Sequence, residues 1–240
     1  MELYTNVLNK SKIYDILFLK IFTVSEYPNI KKFEENDPNK YEQWRDKYFS
    51  YGGENLVEDI VYLETTSLSP EYGKIIGVTL CTLTNDNGKM KRNFVNIYNV
   101  NDEVEVLDSL FQVINLSNEK IELLLCGHNI LGNDIPFIIK RALKNQIEIP
   151  TLFKKIINSK PWESIALDTM LLWKFGSFER TSLNEIATFL NLKYKTLPMS
   201  QFNMNMKFHS GGAFDNDCFE KETMNSVNLT LQLMNKLRSM

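Results

Sequence analysis

Asp15-Ile-Leu-Phe-Leu-Lys-Ile-Phe-Thr-Val24 is a ten-residue run, apolar and rich in β-branched residues, with Lys20 as the one charge after Asp15. It is too short for a lone helix and reads as a strand buried on both faces. Downstream, Gly73 to Thr82 and Lys91 to Tyr98 read as two more strands joined by the turn Asn85-Asp-Asn-Gly88, a hairpin. Between the first strand and the hairpin lies a polar insertion, about residues 31–60, with Pro38, Asn39, Gly52 and Gly53 and a short helix near Tyr41 to Phe49.

After the hairpin the pattern alternates. From Asp102, the spacing of Val104, Leu107, Phe111 and Ile114 fits one helical face, with acidic residues in the first turn. Ile121 to Cys126 reads as a strand, Gly127-His-Asn129 as a turn, and Asp134 to Asn145 as a helix with Pro136 in its first turn. Ser164 to Leu172 is a further short element. Ser182 can cap a helix carrying Leu183, Ile186 and Leu190, and Cys218 to Leu237 closes the chain as a helix. Three leading strands followed by alternating helices and strands predict an α/β fold, a mixed central sheet flanked by helices in three layers. No repeat, low-complexity tract or linker divides residues 1–240, so the pattern predicts a single domain.

Composition narrows the classes. The 240 residues are 43% hydrophobic and 24% charged, enough for a substantial core and far from a disordered chain. A net charge of −3 gives no overall basic field, so any binding of nucleic acid must be local. Apolar runs such as Ile121 to Leu125, interrupted by Glu122, fall far short of the ~20 residues that span a bilayer, so no membrane association is expected. The first residues mix Glu2, Lys10, Lys12 and Asp15 without an apolar h-region, and the expectation is a cytoplasmic, intracellular protein. Cys81, Cys126 and Cys218 are odd in number and widely spaced, which predicts free thiols.

Three segments, taken in order, resemble the RNase H-like 3'-5' exonucleases of the DEDD superfamily, in particular the proofreading domain of family B DNA polymerases. The first strand of that family carries an F-L-D-I-E-T-V-like segment whose Asp and Glu bind metal; here it reads Phe18-Leu-Lys-Ile-Phe-Thr-Val24. Lys20 and Phe22 stand at the two carboxylate positions. Leu68-Ser-Pro-Glu-Tyr-Gly-Lys-Ile-Ile-Gly77 is similar to the family's second strand and its leading turn. The second motif, G-x-N-x-x-x-F-D, is matched by Gly127-His-Asn-Ile-Leu-Gly-Asn-Asp134, which supplies Asn129 and the carboxylate of Asp134. Ala166 to Gly176 and Ser182 to Ala187 are also similar to the family. The third motif, Y-C-x-x-D-V-x-x-T, appears as Glu222-Thr-Met-Asn-Ser-Val-Asn-Leu-Thr230, with Glu222 at the Tyr position and Ser226 at the Asp position. The resemblance implies an RNase H-like fold, nucleic-acid contacts at Thr23 and Asn129, and four metal carboxylates of which Asp134 alone remains.

Two-metal phosphodiester hydrolysis needs several carboxylates around two cations about 3.5–4 Å apart. A single Asp does not meet that requirement, and a Lys20 ammonium in the same place repels divalent cations and can pair with Asp134. The sequence therefore predicts a catalytically inactive exonuclease-like protein that needs no metal cofactor and acts as a binding or accessory subunit for single-stranded DNA, another nucleic acid or a protein partner. Two alternatives stay open. One is an active exonuclease using Mg²⁺ or Mn²⁺ with an atypical ligand set from Glu64, Asp134, Asp168 and Glu222; the other is a purely structural or protein-interaction module. A register placing the first motif at Leu63-Glu-Thr-Thr-Ser-Leu68, with Tyr62 at the missing Asp, leaves the strand at Asp15 without a counterpart.

The remaining candidates carry less chemistry. His128 and His209 have no partner at metal-ligand spacing and are expected to be structural or exposed. Lys31, Lys32, Lys89, Lys91, Arg92, Lys154 and Lys155 are dispersed basic candidates. Met199, Met204 and Met206 with Phe202 and Phe208 form an alternating stretch that predicts edge packing.

Overall fold

The computed structural model describes residues 12–49, 58–118, 123–159, 165–210 and 216–239. Its centre is a five-stranded sheet in the order β3-β2-β1-β4-β5. The strands are β1 (Ile16–Ser25), β2 (Gly73–Asp86), β3 (Lys89–Tyr98), β4 (Leu124–Gly127) and β5 (Ala166–Asp168). β1, β2 and β3 form an antiparallel meander, and β4 and β5 are added parallel on the other side of β1. The chain is thus α/β with a mixed sheet flanked by helices.

The hairpin turn falls at Asn87 and Gly88, both with positive φ (52° and 82°), the twist that a two-residue connection between Asp86 and Lys89 demands. Helices α1 (Ile30–Asn36), α2 (Pro38–Phe49) and α3 (Glu58–Thr65) fill the insertion. Its one expected helix is α2, and α1 and α3 come in addition. They are held by a satellite cluster of Phe33, Trp44, Tyr62 and Tyr72, so the polar composition hides a small aromatic core of its own. Then follow α4 (Glu103–Asn118), α5 (Ile135–Lys144), α6 (Thr151–Asn158), α7 (Thr169–Trp173), α8 (Leu183–Phe189), α9 (Gln201–His209) and α10 (Asn216–Arg238).

Strand alternation assigns the two faces. Leu17, Leu19 and Ile21 of β1 pack with Val106, Leu110, Phe137 and Phe153 from α4, α5 and α6. Ile16 and Phe18 pack on the opposite face with Ile186 of α8 and Leu229 and Leu233 of α10. This leaves Lys20 on the α8 and α10 face of the central strand. Val104 departs from the expected stripe and is 41% exposed, because the buried face of α4 runs through Val106, Leu107, Leu110, Phe111 and Ile114.

Two further expectations need correction. The methionine-rich stretch is not an edge segment but the helix α9, capped by Ser200, whose Met204 is buried. Ser164 to Leu172 divides into β5 and α7, with Asp168 capping α7 through the Met170 N–H. Ile121, Glu122 and Ser164, the starts of two expected elements, lie outside the described residues.

At the C-terminal end of β1 a polar knot ties the elements together. Arg141 of α5 is 4% exposed and donates to Glu26 at 2.7 Å and to Glu103 at 2.6 Å. Burial raises the Glu26 carboxyl, but hydrogen bonds from Lys144, Lys40 and Arg141 outweigh it and hold the group down at about 2.

Candidate functional site

β4 pairs with β1 only from Ile16 to Phe18, so beyond that point the β4 side of β1 has no strand neighbour. The chain from β4 enters there through Asn129 (φ 60°) and a wide turn over Ile130–Asp134 before α5 begins. Asp134 is 1% exposed and accepts the Ile21 N–H at 3.0 Å, doing the work of a missing strand neighbour. Lys20 Nζ completes the arrangement, 3.1 Å from Oδ1 and 3.4 Å from Oδ2 of Asp134.

Phe22, two residues along the same face, lies opposite Gly77 in β2 and packs edge-on against Phe219 of α10, with ring centroids 5.7 Å apart. A Cβ on Gly77 would meet the Phe219 ring at 2.5 Å, so the glycine makes room for that ring. Where the resemblance places a second metal carboxylate, the structure has an aromatic wedge.

Lys20, Phe22, Asn129, Glu222 and Ser226 all line one pocket of about 360 Å³. Asp134 reaches it through Lys20. The cluster sits along β1 past its last pair with β4 at Phe18, where that side of the middle strand is a local sheet edge. Glu222 is 6% exposed, and its Oε2 accepts the Met199 N–H at 2.8 Å, which ties α10 to the segment before α9.

Thr23 is placed differently from the expectation. It is buried and its hydroxyl donates to the Ser67 carbonyl at 2.6 Å, because strand alternation puts it on the face opposite Lys20 and Phe22. None of the seven dispersed basic candidates lines the pocket; Lys20 is its only cation among the described residues.

The atypical ligand set is not brought together. Glu64 is exposed near the end of α3, a helix, with neighbouring Tyr62 donating to the Tyr27 carbonyl. Asp168 is committed to backbone: its oxygens accept from the N–H groups of Asn129 at 2.9 Å, Leu131 at 3.1 Å and Met170 at 2.9 Å. Burial nevertheless leaves its carboxyl above the ordinary value. Among the described residues no three His, Cys, Asp or Glu side chains converge as metal ligands. The donor groups do not fit a divalent cation, since Asp134 already holds an ammonium and an N–H, Glu222 accepts the Met199 N–H, and Asp168 is taken up by backbone N–H groups.

No family model matches the chain, and no curated protein matches it. The pocket's chemistry therefore has to be read from its own walls.

Those walls include groups that sequence reasoning missed. Gln201 and Met204 come from α9, Met170 from α7, and Pro198 and Met199 from the segment before α9. The methionine-rich composition was the available signal, since flexible thioethers suit irregular apolar surface. His128 also lines the pocket. Its Nε2 lies 3.1 Å from the Thr181 carbonyl, which can only accept, so that nitrogen carries the proton and Nδ1 faces the Thr169 hydroxyl at 3.0 Å. Burial depresses the ring to about 4, aided by the Lys20 charge. His209 is likewise lowered to about 4 by burial, with Nε2 between the hydroxyl and carbonyl of Ser25. Both are structural, neutral groups. The pocket offers apolar walls, amide and hydroxyl groups, the Glu222 carboxylate and one ammonium.

No helix among the described residues is long and apolar enough to cross a membrane.

Proposed function

We propose that this chain is an exonuclease-like protein of the DEDD type, on an RNase H-like fold, whose metal centre has been replaced by an ion pair. In this reading it binds the 3' end of a single-stranded polynucleotide without cutting it and serves as an accessory subunit. The observation that carries the reading is the Lys20–Asp134 pair at 3.1 Å. It puts an ammonium where a metal-binding carboxylate is expected and engages the last carboxylate of the set. The three motif segments, 114 residues apart between Lys20 and Asp134 alone, line up around one pocket, which supports the register of the resemblance. The leading antiparallel meander with two parallel strands added beside β1 supports the RNase H-like assignment.

In this reading the pocket supplies binding chemistry: apolar contact from Met170, Met199 and Leu183, amide contacts from Asn129, Asn133 and Gln201, and Lys20 facing a phosphate. The test uses a 12-nucleotide oligothymidylate labelled at its 5' end. Binding by anisotropy is expected to be equal in EDTA and in Mg²⁺, weakened when the 3' hydroxyl is blocked by a bulky group, and unaccompanied by shortening in Mg²⁺ or Mn²⁺. Mn²⁺-dependent shortening that vanishes in Asp134→Ala would overturn the reading in favour of an active enzyme.

A further inference from the structure

Two of the helices that line the pocket lead from it to the same place on the surface. α7 contributes Met170 to the pocket and ends at Trp173; α8 contributes Leu183 and ends at Phe189, about 9 Å further along its axis. At these far ends three aromatic rings gather. Trp173 lies 5.9 Å from Phe175 and 6.0 Å from Phe189, centroid to centroid. Phe189 is 74% exposed and Phe175 44%.

Scattered exposed hydrophobics are ordinary, but this group has two unusual features. Phe175 adopts φ 46°, a left-handed conformation unfavourable for a bulky side chain, and is followed by Gly176 at φ 91°. A glycine at 175 would remove that strain, yet the position carries a ring held on the surface beside Trp173. The second feature is charge. Residues 171–195 carry Lys174, Arg180, Lys193 and Lys195 against Glu179 and Glu185, in a chain of net charge −3. The Glu185 carboxylate is occupied by the Ser182 N–H in a capping box.

We propose that Trp173, Phe175 and Phe189 form a stacking shelf for bases of a single-stranded polynucleotide, with the lysines and arginine of the same stretch of chain supplying charge for its phosphates. The inference rests on the 3'-end reading of the adjoining pocket and extends the bound strand beyond it. Every base presents a π-face, so such a shelf is sequence-tolerant, and each stacked base is worth roughly tenfold in affinity.

The experiment compares wild type, Phe189→Ala, Phe175→Gly and the pocket-filling Ser226→Phe on three probes: a 12-nucleotide oligothymidylate, a trinucleotide and a circular single strand. Phe175→Gly relieves the backbone, so its melting temperature is expected to equal or exceed wild type and any loss of affinity is not unfolding. The shelf variants are expected to weaken the 12-mer about tenfold each while leaving the trinucleotide unchanged, and Ser226→Phe is expected to weaken both. Unchanged 12-mer affinity in both shelf variants, with Ser226→Phe still impaired, overturns the shelf and leaves the pocket reading standing. Tight binding of the circle that depends on Phe175 and Phe189 but not on Ser226 overturns the 3'-end reading and leaves the shelf. A wild-type protein that binds none of the three probes overturns both, and the exposed rings would then belong to a protein contact.

Discussion

Lys20 Nζ and Asp134 Oδ1 meet at 3.1 Å, joining the middle strand of the sheet to the turn that opens α5. Asp134 is almost fully buried, whereas the Lys20 side chain is 27% exposed toward the pocket. The pair therefore does two jobs: it satisfies a carboxylate that also takes the Ile21 N–H, and it presents one cation to whatever enters.

Removing one partner should cost more than removing both. Lys20→Met leaves Asp134 with its N–H contacts but no countercharge, and is expected to destabilise by about 2 kcal/mol, tempered by the water that reaches the lysine. Lys20→Met combined with Asp134→Leu should recover part of that loss. Urea unfolding of the two singles and the double variant closes the cycle; strictly additive losses would mean that the two groups do not interact.

Gly77→Ala probes the aromatic wedge. The new Cβ meets the Phe219 ring at 2.5 Å and the Ile97 carbonyl at 2.9 Å, so α10 must shift or the ring must leave its site against Phe22. A loss of about 1–3 kcal/mol is expected in thermal or urea unfolding. An unchanged midpoint would show that this packing is loose.

How much of this was legible follows from the kind of signal. The continuous apolar run of Asp15–Val24 and the Asn-Gly turn specify a buried strand and a hairpin through local chemistry, and both are present as read. Local patterning does not show which face of a helix wins: Val104 fits the stripe by spacing, yet α4 turns Val106 inward. The aromatic core of the insertion was hidden because Phe33, Trp44 and Tyr62 are separated by polar residues and meet only after three helices fold on one another. In the site, Lys20, Phe22, Asn129, Glu222 and Ser226 could be listed by motif order alone. Gln201 and Met204 could not, since their place depends on α9 docking through Asn205, which accepts the Ser25 N–H. Thr23 was misplaced because the motif match was carried over without the strand alternation that turns it from the Lys20 and Phe22 face.

The two histidines give stability a defined pH profile. Both rings are held near 4 in the folded chain against an ordinary 6.5, so the unfolded chain takes up protons first as pH falls. Their contribution is present above about pH 6.5 and is lost on descent toward pH 4, with a slope approaching two protons. His209→Gln should remove about one proton from that slope. Glu26 and Glu71, both lowered to about 2, add a separate loss between about pH 4.5 and 2. Unfolding free energies measured from pH 8 to 3 check this; a flat profile between 6.5 and 4.5 would contradict the neutral, buried rings.

Restoring the carboxylates should restore a metal site if the framework is intact. Lys20→Asp, Phe22→Glu and Ser226→Asp place three acids around Asp134, and Glu222→Tyr returns a water-orienting hydroxyl. The variant is expected to be less stable without metal and to rise in melting temperature with added Mn²⁺ by mass action. A folded variant with no Mn²⁺-dependent shift would mean that the four positions do not converge.

Calorimetric titration of the unaltered protein with Mn²⁺ tests the central claim most directly. An ammonium seated on the last available carboxylate predicts no saturable site in the micromolar range, in wild type and in Asp134→Ala alike. A micromolar site in wild type that disappears in Asp134→Ala would contradict the account, because Lys20 would then yield to the cation it is argued to replace.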